Sequence, residues 1–434
     1  MALRSLFKRG RQNGIKILSL GVPLAMGLTL IAKVSFERSF DSFYPDSDRL
    51  YMVLSNLNDG GRKSTWGSVS GAIAPAMHDE IPEVEAASRC TAIGMPGERI
   101  VTSDNRLHLA TFLLADTCFF DLLPRPVLVG DPHKLLSRPD HVIISRSLAE
   151  RLGGVAVAVG QSIRRESDRG KSYVVGGVFE DVPENSHLRY DIIGSLNGLP
   201  ARSTAGWMGN ERYVAYVRLR PGVNPESLAP AIRSMQSRHQ NLDAMRREGV
   251  DLTYTLAPLR QIHGGVDSVR QMNLMLSLMA AILIIIAVLN YILAAVSTLM
   301  GRIRQVAVHK CYGASGRDLL GMILSEVALH LALALVLAFM VLLLFRDKTE
   351  ELLSVSLPAL FTPSTVMLLA GVCAVVFVLT CLVPTRMLMR VPVAVAFRVE
   401  RTHRRHWRLA LLFVQFAAVA YLAAMLVVID RQYD

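Results

Sequence analysis

The chain has 434 residues, of which 51% are hydrophobic and 19% charged, and its formal net charge is +11. Soluble domains usually carry about a quarter charged residues, so this composition predicts a membrane protein with a sizeable soluble part. It excludes a disordered, a collagen-like or a disulfide-dense secreted chain.

The positive charge is concentrated beside apolar segments. Sixteen of the 47 basic residues, but only Asp318 and Glu400 among the 36 acidic ones, fall within stretches 1–16, 301–318 and 385–408. This pattern is typical of the cytoplasmic flanks of membrane helices. Since no basic stripe with interleaved aromatic residues accompanies it, it does not predict a nucleic-acid partner.

Five segments are long and apolar enough to cross a bilayer as helices, which takes about 20 residues each. The predicted spans are 17–36, 271–301, 327–345, 362–383 and 409–429. Lys16 and Lys33, near the ends of the first span, are expected to snorkel to the interface, and a cleavable signal peptide is the alternative for this span. Pro384 is expected to end the fourth span.

Alternation of the five spans would put all three basic stretches on one side, so the N-terminus is expected in the cytoplasm and residues 37–270 outside. That long segment contains strand-like and helical patches, which predict an α+β domain. Unpaired buried thiols are favoured over a disulfide for its two cysteines, Cys90 and Cys118. The strand-like runs are 49–55, 171–179, 212–219 and 251–257, and the helical patches are 147–154 and 225–240.

Searches for catalytic and metal-binding motifs yield one match. No GxxxxGK[ST], HExxH or paired-cysteine pattern is present, so no catalytic, cofactor or metal site is predicted. The stretch GSVSG (67–71) fits G-x-S-x-G with Ser70 as nucleophile, but the preceding segment is polar and turn-like where a nucleophile elbow needs a buried strand. An ordinary loop is the favoured interpretation over a serine hydrolase.

Glu326 and His330 are one helical turn apart in the third span. An ionisable residue inside a membrane is a functional candidate. A proton relay would need further titratable groups along the bundle, and spans two, four and five are interpreted as offering none. The pair is therefore interpreted as structural, with hydrogen bonds to a neighbouring helix or loop.

The order of these segments, with one long domain between spans one and two, resembles the FtsX-like permeases of the MacB class of ABC transporters, of the Bacteroidetes type. Seven blocks carry the resemblance: ERSFDSFYPDSDRLY (37–51), IPEVEAASR (81–89), ADTCFFDLLPRPVLVGDP (115–132), VIISRSLAERLGG (142–154), VFEDVPENSHLRYDIIGSL (178–196), YVAYVRLRPGV (213–223) and LAPLRQIH (256–263).

The resemblance implies four parts and an α-helical membrane bundle beside an α+β extracytoplasmic domain. Residues 1–36 are the cytoplasmic N-terminus and first span, 37–270 a MacB-like periplasmic core domain, and 271–390 an FtsX-like permease domain. Residues 391–434 are a basic linker and the fifth span. They resemble the start of a second unit, so the chain is expected to be the N-terminal half of a double-length permease.

The loop after the second span resembles the coupling helix with which such permeases dock on their ATPase. A short helix is predicted over 303–312, closed by Gly313, because glycine readily ends a helix. Gln305, Ala307 and His309 depart from the family pattern. The alternative is a solvated basic loop that only fixes topology. The candidate coupling residues are Arg304, Gln305, Val306, Val308, His309, Lys310 and Gly313.

The chain is therefore predicted to be a non-enzymatic permease subunit of the inner membrane, without a cofactor of its own. A separate ABC ATPase, which binds ATP, would drive its periplasmic domain by mechanotransmission for export or efflux. Its other expected partners are membrane lipid, a second permease half or a homodimer, and a periplasmic adaptor. The alternative is a membrane-anchored sensory or scaffolding protein with a periplasmic ligand-binding domain.

Overall fold

The computed structural model describes residues 13–102, 105–167, 171–300 and 316–389, together with Val308, Phe413, Phe416 and Ala417. The chain divides into two compact units. Residues Ser39–Asp267 form one unit, here called the core domain. The described residues before and after it form the other, here called the helical unit.

Fifteen α-helices and eleven strands are described, apart from two 3₁₀ turns at Leu196–Gly198 and Pro225–Leu228. The helices are α1 Asn13–Arg38, α2 Ile73–Glu80, α3 Phe119–Leu122, α4 Pro132–Leu136, α5 Arg146–Arg151, α6 Val155–Ala158, α7 Ala201–Thr204, α8 Ala229–His239, α9 Leu242–Arg247, α10 Leu259–Ile262, α11 Asp267–Met300, α12 Gly316–Leu344, α13 Arg346–Leu353, α14 Leu357–Leu360 and α15 Pro363–Met389. The strands are β1 Leu50–Asp59, β2 Arg62–Trp66, β3 Val84–Thr102, β4 Leu107–Ala115, β5 Val127–Val129, β6 His141–Ser145, β7 Ser162–Arg165, β8 Ser172–Phe179, β9 Ile192–Ser195, β10 Val214–Leu219 and β11 Val250–Pro258.

The helical unit contains four helices that are long and apolar enough to span a membrane. They cover Asn13–Arg38, Asp267–Thr298, Leu320–Leu344 and Pro363–Arg386. The first four predicted spans are therefore confirmed as long apolar helices. The fifth, at 409–429, lies outside the described residues except at Phe413, Phe416 and Ala417.

The expected end of the fourth span at Pro384 is wrong, because α15 continues through this proline to Met389. Proline removes one backbone hydrogen bond from a helix, which frees the carbonyl of the residue four positions earlier. That residue is Thr380. Membrane helices tolerate proline because neighbouring helices, Ser and Thr side chains and local adjustments of the helix can satisfy the freed backbone group.

Close packing of α1 depends on two glycines. A Cβ atom at Gly21 would lie 2.9 Å from Leu337 Cδ2 and 3.1 Å from the backbone oxygen of Ala334, both in α12. A Cβ at Gly27 would lie 2.8 Å from Ile284 Cδ1 in α11. Small residues let helix backbones approach closely where apolar burial gives little drive for association, as in a membrane. The two glycines therefore allow α1 to pack closely against α11 and α12.

The strands of the core domain form one eleven-stranded mixed sheet. Its main order is β11-β1-β10-β3-β4-β9-β6-β8-β5, with β2 paired to β1. Strand β7 pairs with both β3 and β8, so the pairings close a ring of six strands: β3, β4, β9, β6, β8 and β7. Only the β4–β9 and β6–β8 pairs are parallel.

Three hydrophobic clusters line this sheet, and all three include or contact β3. One packs Val84 with α2 and α8, and one packs Cys90 with residues of β1 and β10. The third contains Ile100 and residues from the other five strands of the ring. The four predicted strand runs and the two helical patches are confirmed, since each coincides with a strand or a helix of the core domain. The α+β class of this domain is confirmed with them.

Candidate functional site

Two polar residues of α12, Glu326 and His330, contact neighbouring helices of the helical unit. Glu326 Oε1 accepts a hydrogen bond from Lys16 Nζ at 3.1 Å, and the Lys16 side chain is only 2% exposed. Lys16 belongs to the first turn of α1. A buried charge is costly unless an opposite charge satisfies it, so each group stabilises the other in this position.

His330 lies one turn further along α12 and is fully buried. Its Nδ1 atom is 3.0 Å from the hydroxyl of Tyr291, which is also buried and belongs to α11. The two rings meet edge to face, with centroids 5.9 Å apart. Helix α12 is therefore joined to α1 by an ion pair and to α11 by a hydrogen bond, within two helical turns.

The partners of both residues were not predicted from the sequence. The second span was expected to lack titratable groups, whereas Tyr291 supplies a hydroxyl there. The available signal was the residue type, because a buried tyrosine usually finds a hydrogen-bond partner for its hydroxyl.

The expectation that Lys16 and Lys33 snorkel to the interface is wrong. Lys16 reaches Glu326, and Lys33 forms a 2.6 Å ion pair with Glu37, one turn further along α1. Both lysine side chains are buried, because a carboxylate is within reach in each case and satisfies the ammonium group inside the protein.

The other end of α1 is joined to α15. The hydroxyls of Ser35 and Thr365 lie 3.0 Å apart, and Thr365 also contacts Thr362 through their hydroxyls at 3.0 Å. Short hydroxyl side chains of this kind link helices without introducing charge. Helix α1 therefore makes a polar contact near each of its ends, to α12 at the first and to α15 at the second.

Most of the predicted coupling residues lie outside the described residues. This holds for Arg304, Gln305, Val306, His309, Lys310 and Gly313. Val308 is described; it is helical and 43% exposed. The coupling segment directly precedes α12, the helix that carries Glu326 and His330.

The serine of the GSVSG stretch is buried and bound to a carboxylate. Ser70 Oγ donates to Glu211 Oε1 at 3.0 Å. Its neighbour Gly71 accepts a hydrogen bond from Arg89 through its backbone oxygen, as Thr204 does. The Ser70 hydroxyl donates to a carboxylate, whereas the hydroxyl of a nucleophilic serine donates to a histidine imidazole that acts as its general base. Ser70 fixes a loop in this structure.

The two cysteines of the core domain are both free. Cys90 is fully buried, and burial raises the pKa of its thiol, with a smaller effect from Asp116. Burial also raises the pKa of Cys118, whose thiol donates to the backbone oxygen of Ala87 at 3.4 Å. A thiol is reactive as a thiolate, so both are inert packing residues in this state. Within the described ranges, no three histidine, cysteine, aspartate or glutamate side chains are grouped as a metal site would require.

Two family models match the chain. Residues 18–235 match the MacB-like periplasmic core domain, and residues 277–393 match the FtsX-like permease C-terminal domain. Among curated proteins, no sequence matches the chain.

Three solved structures are similar to the core domain. A domain of a putative permease protein from Porphyromonas gingivalis is 38% identical, with a TM-score of 0.47, and the match covers 50% of this chain and 91% of that one. The periplasmic region of MacB from Actinobacillus actinomycetemcomitans is 11% identical, with a TM-score of 0.32 and coverage of 46% and 87%. The extracellular domain of the noncanonic ABC-type transporter YknZ from Gram-positive bacteria is 15% identical, with a TM-score of 0.32 and coverage of 47% and 99%.

Proposed function

Because the chain belongs to the family of ABC transporter permeases with a MacB-like periplasmic core domain and an FtsX-like permease domain, we propose that it transmits the movement of a separate ABC ATPase to its core domain. The N-terminus and the loop at 301–315 would lie in the cytoplasm, and the core domain would lie outside the inner membrane. Export or efflux would follow from movement of the core domain, so no substrate needs to cross the four described helices.

The observation that carries this proposal is the pair of polar contacts made by α12. The coupling segment lies between α11 and α12, so an ATPase that displaces it would displace the start of α12. Glu326 contacts Lys16 of α1, and His330 contacts Tyr291 of α11. Charge pairs and hydrogen bonds inside an apolar bundle hold their geometry better than apolar contacts alone, because separating them exposes unsatisfied polar groups.

Helix α1 then provides a continuous route to the core domain. It is helical from Asn13 to Arg38, with Pro23 in its interior, and the core domain begins at the next residue, Ser39. The contact of Lys16 with α12 lies near the start of this helix, and that of Ser35 with α15 lies near its end. A displacement received at the first contact would therefore reach the core domain along a single helix.

The partners follow from the same arrangement. A motor of this class closes two ATPases around two permease halves, so the chain would act with a second half or as a homodimer. A periplasmic adaptor is a further partner of the core domain. The ATPase would bind through Arg304, Gln305, Val306, Val308, His309, Lys310 and Gly313.

Pull-down of a separate ABC ATPase by the full chain tests this function. Changing Val306 and Val308 together to Asp should abolish binding at physiological ionic strength while membrane insertion is kept, because the change removes apolar contacts that salt does not screen. Leu352→Asp is the matched control, since Leu352 is 84% exposed on α13, in a loop expected on the other side of the membrane. Undiminished ATPase binding by the double variant would overturn the proposal and favour the sensory or scaffolding alternative.

A further inference from the structure

Asp41, the third residue after α1, has a backbone conformation that aspartate rarely adopts. Its φ is +55°, in the left-handed region, and its side chain is fully buried. A left-handed backbone conformation costs free energy for any residue with a Cβ atom, although Asp and Asn adopt it more often than other such residues. Such strain persists only where the surroundings fix it, so the contacts of Asp41 indicate what this segment is held against.

The segment at Asp41 is hydrogen-bonded to a loop 145 residues further along the chain. Asp41 Oδ1 accepts from Ser186 Oγ at 3.1 Å and from the backbone N–H of His187 at 3.2 Å. The Asp41 backbone N–H donates to the Asn185 backbone oxygen at 2.9 Å. Asn185 in turn donates from Nδ2 to the backbone oxygen of Ser39 at 2.9 Å.

The other carboxylate oxygen of Asp41 faces an imidazole. Asp41 Oδ2 lies 2.8 Å from His187 Nδ1, in ion-pair contact but without the angle of a hydrogen bond. His187 Nε2 lies 2.8 Å from the hydroxyl of Tyr216, a fully buried residue of β10 in the middle of the sheet. A continuous polar chain thus runs from the start of the core domain to its central sheet.

We infer that Asp41, His187 and Tyr216 form a latch that fixes the segment following α1 to the central sheet of the core domain. The three are positioning residues, and the inference rests on the proposed function in so far as α1 is the element that moves. Without the latch, residues 39–44 would act as a loose hinge, and displacement of α1 would be lost in that hinge before it reached the sheet.

The latch accommodates both protonation states of His187. A neutral imidazole with its proton on Nδ1 faces the carboxylate and accepts from the Tyr216 hydroxyl at Nε2. A charged imidazole keeps the same contact with Asp41 and donates from Nε2 to the tyrosine oxygen, because a hydroxyl can serve as donor or acceptor. The wild-type latch should therefore stay closed across the pH range in which histidines titrate.

The other titratable groups near the latch keep one charge state over that range. Burial raises the pKa of Tyr44 to about 12 and raises that of Tyr190. Burial raises the pKa of Cys90 as well. Arg125 stays charged, and its Nη2 donates to the backbone oxygen of Asp181 at 2.6 Å. The ring of His263 stacks on that of Phe40, with the two centroids 3.5 Å apart.

Replacing Asp41 by Asn makes a latch that depends on pH. The backbone N–H of His187 keeps the amide oxygen at the position of Oδ1, so the amide NH₂ faces His187 Nδ1. A neutral imidazole can adapt by carrying its proton on Nε2 and accepting at Nδ1. A charged imidazole cannot, because two donors then face each other.

Hydrogen–deuterium exchange on the full chain in nanodiscs measures the latch directly. After correction for intrinsic rates, wild-type segments 39–44 and 185–188 should be equally protected at pH 8 and pH 5.5. In Asp41→Asn they should be protected at pH 8 and exchange about tenfold faster at pH 5.5, with β6 and β8 unchanged. Tyr216→Phe, which removes only the hydroxyl, should loosen 185–188 at both pH values.

Asp79→Asn is the matched control, because Asp79 and His78 form an Asp–His pair with 2.9 Å between Oδ1 and Nδ1 on the surface of the same domain. It should leave exchange at 39–44 unchanged. Equal exchange of wild type and Asp41→Asn at pH 5.5, or loosening that spreads to β6 and β8, would overturn the latch. ATPase binding by Asp41→Asn should remain normal, since no coupling residue is changed, so a failed pull-down bears on the proposed function alone.

Discussion

Lys16 and Glu326 are 310 positions apart in the chain, and their side chains meet at 3.1 Å inside the helical unit. The ammonium is almost fully buried, whereas the carboxylate keeps 23% of its side-chain surface exposed. Helices α1 and α12 are therefore joined by a charge pair whose members depend on each other for neutralisation.

Replacing Lys16 by Met should destabilise the helical unit by about 2–3 kcal/mol, because it removes a buried positive charge from the Glu326 carboxylate. The double variant Lys16→Met, Glu326→Met should recover most of this loss, since two apolar side chains of similar volume leave no buried charge without a partner. Thermal unfolding of the full chain in detergent measures both effects. A double variant as unstable as the single one would contradict the pairing.

Replacing Gly21 by Ala should destabilise the helical unit, because the new methyl group lies 2.9 Å from Leu337 Cδ2 and 3.1 Å from a backbone oxygen that cannot yield easily. The matched control is Gly371→Ala in α15, where a Cβ atom meets nothing within 4 Å. Alanine favours a helix over glycine by up to about 1 kcal/mol, so the control should be neutral or stabilising. Opposite signs in thermal unfolding are expected, and equal signs would refute the close approach.

The acid stability of the core domain should depend on Glu85. Hydrogen bonds from Arg49 lower the pKa of this carboxyl below its ordinary value of 4.5, with a further contribution from Arg218. A lowered folded-state pKa stabilises the fold above the unfolded-state pKa, and this stabilisation is lost as the pH falls through the folded-state pKa. Stability should therefore fall less steeply below about pH 4.5 in Glu85→Gln than in wild type.

Chemical unfolding of the full chain between pH 6 and pH 3, followed by tryptophan fluorescence, measures this slope. Trp66 and Trp207 report on the core domain. The exposed Glu150 of α5 provides the control, since Glu150→Gln should keep the wild-type slope. An unchanged slope in Glu85→Gln would show that the arginine pairs do not matter for folding.

The proposed orientation predicts a labelling pattern. With the five native cysteines replaced, single cysteines at Asn241 and Lys348 should react with an impermeant thiol reagent applied from outside, and one at Arg401 should not. Both outer positions are exposed in the structure, so burial would not mask them. Reaction at Arg401 in intact cells would reverse the topology.

Replacing Ser70 by Ala should leave ATPase binding unchanged and cost about 1 kcal/mol of core-domain stability, the usual value of a lost hydrogen bond. Unfolding of the full chain checks the second figure. An esterase activity that disappears with the Ser70 hydroxyl would instead identify a hydrolase.

Much of the fold was predictable from the sequence because burial leaves a pattern. Long apolar runs predicted the four helices, and alternating residues predicted β1, β8, β10 and β11, since a helix and a strand repeat their buried positions differently. The ring closed through β7 was not predictable in this way. Strand pairing between distant segments is determined by tertiary packing, and the four residues of β7 carry no signal of which strands they join.

Polar contacts were harder to predict than apolar ones. The sequence shows that Lys16, Lys33 and Glu326 are charged and near apolar runs, but the partner of each depends on how the helices assemble. Pro384 illustrates a similar limit, because the surroundings of a helix decide whether a proline ends it or is tolerated within it. His187 and Asp41 carried no motif of their own, and only the fold brings them together.

The closed ring of six strands also restricts how other chains can attach. A partner that binds by extending a sheet needs a strand with an unpaired edge, and a strand that is paired on both sides offers none. Among the described strands, β2, β5 and β11 have one paired side each along their whole length. Strand addition, whether by a binding partner or by an aggregating copy, is therefore favoured at those three strands, while most of the ring is left to recognition through side chains.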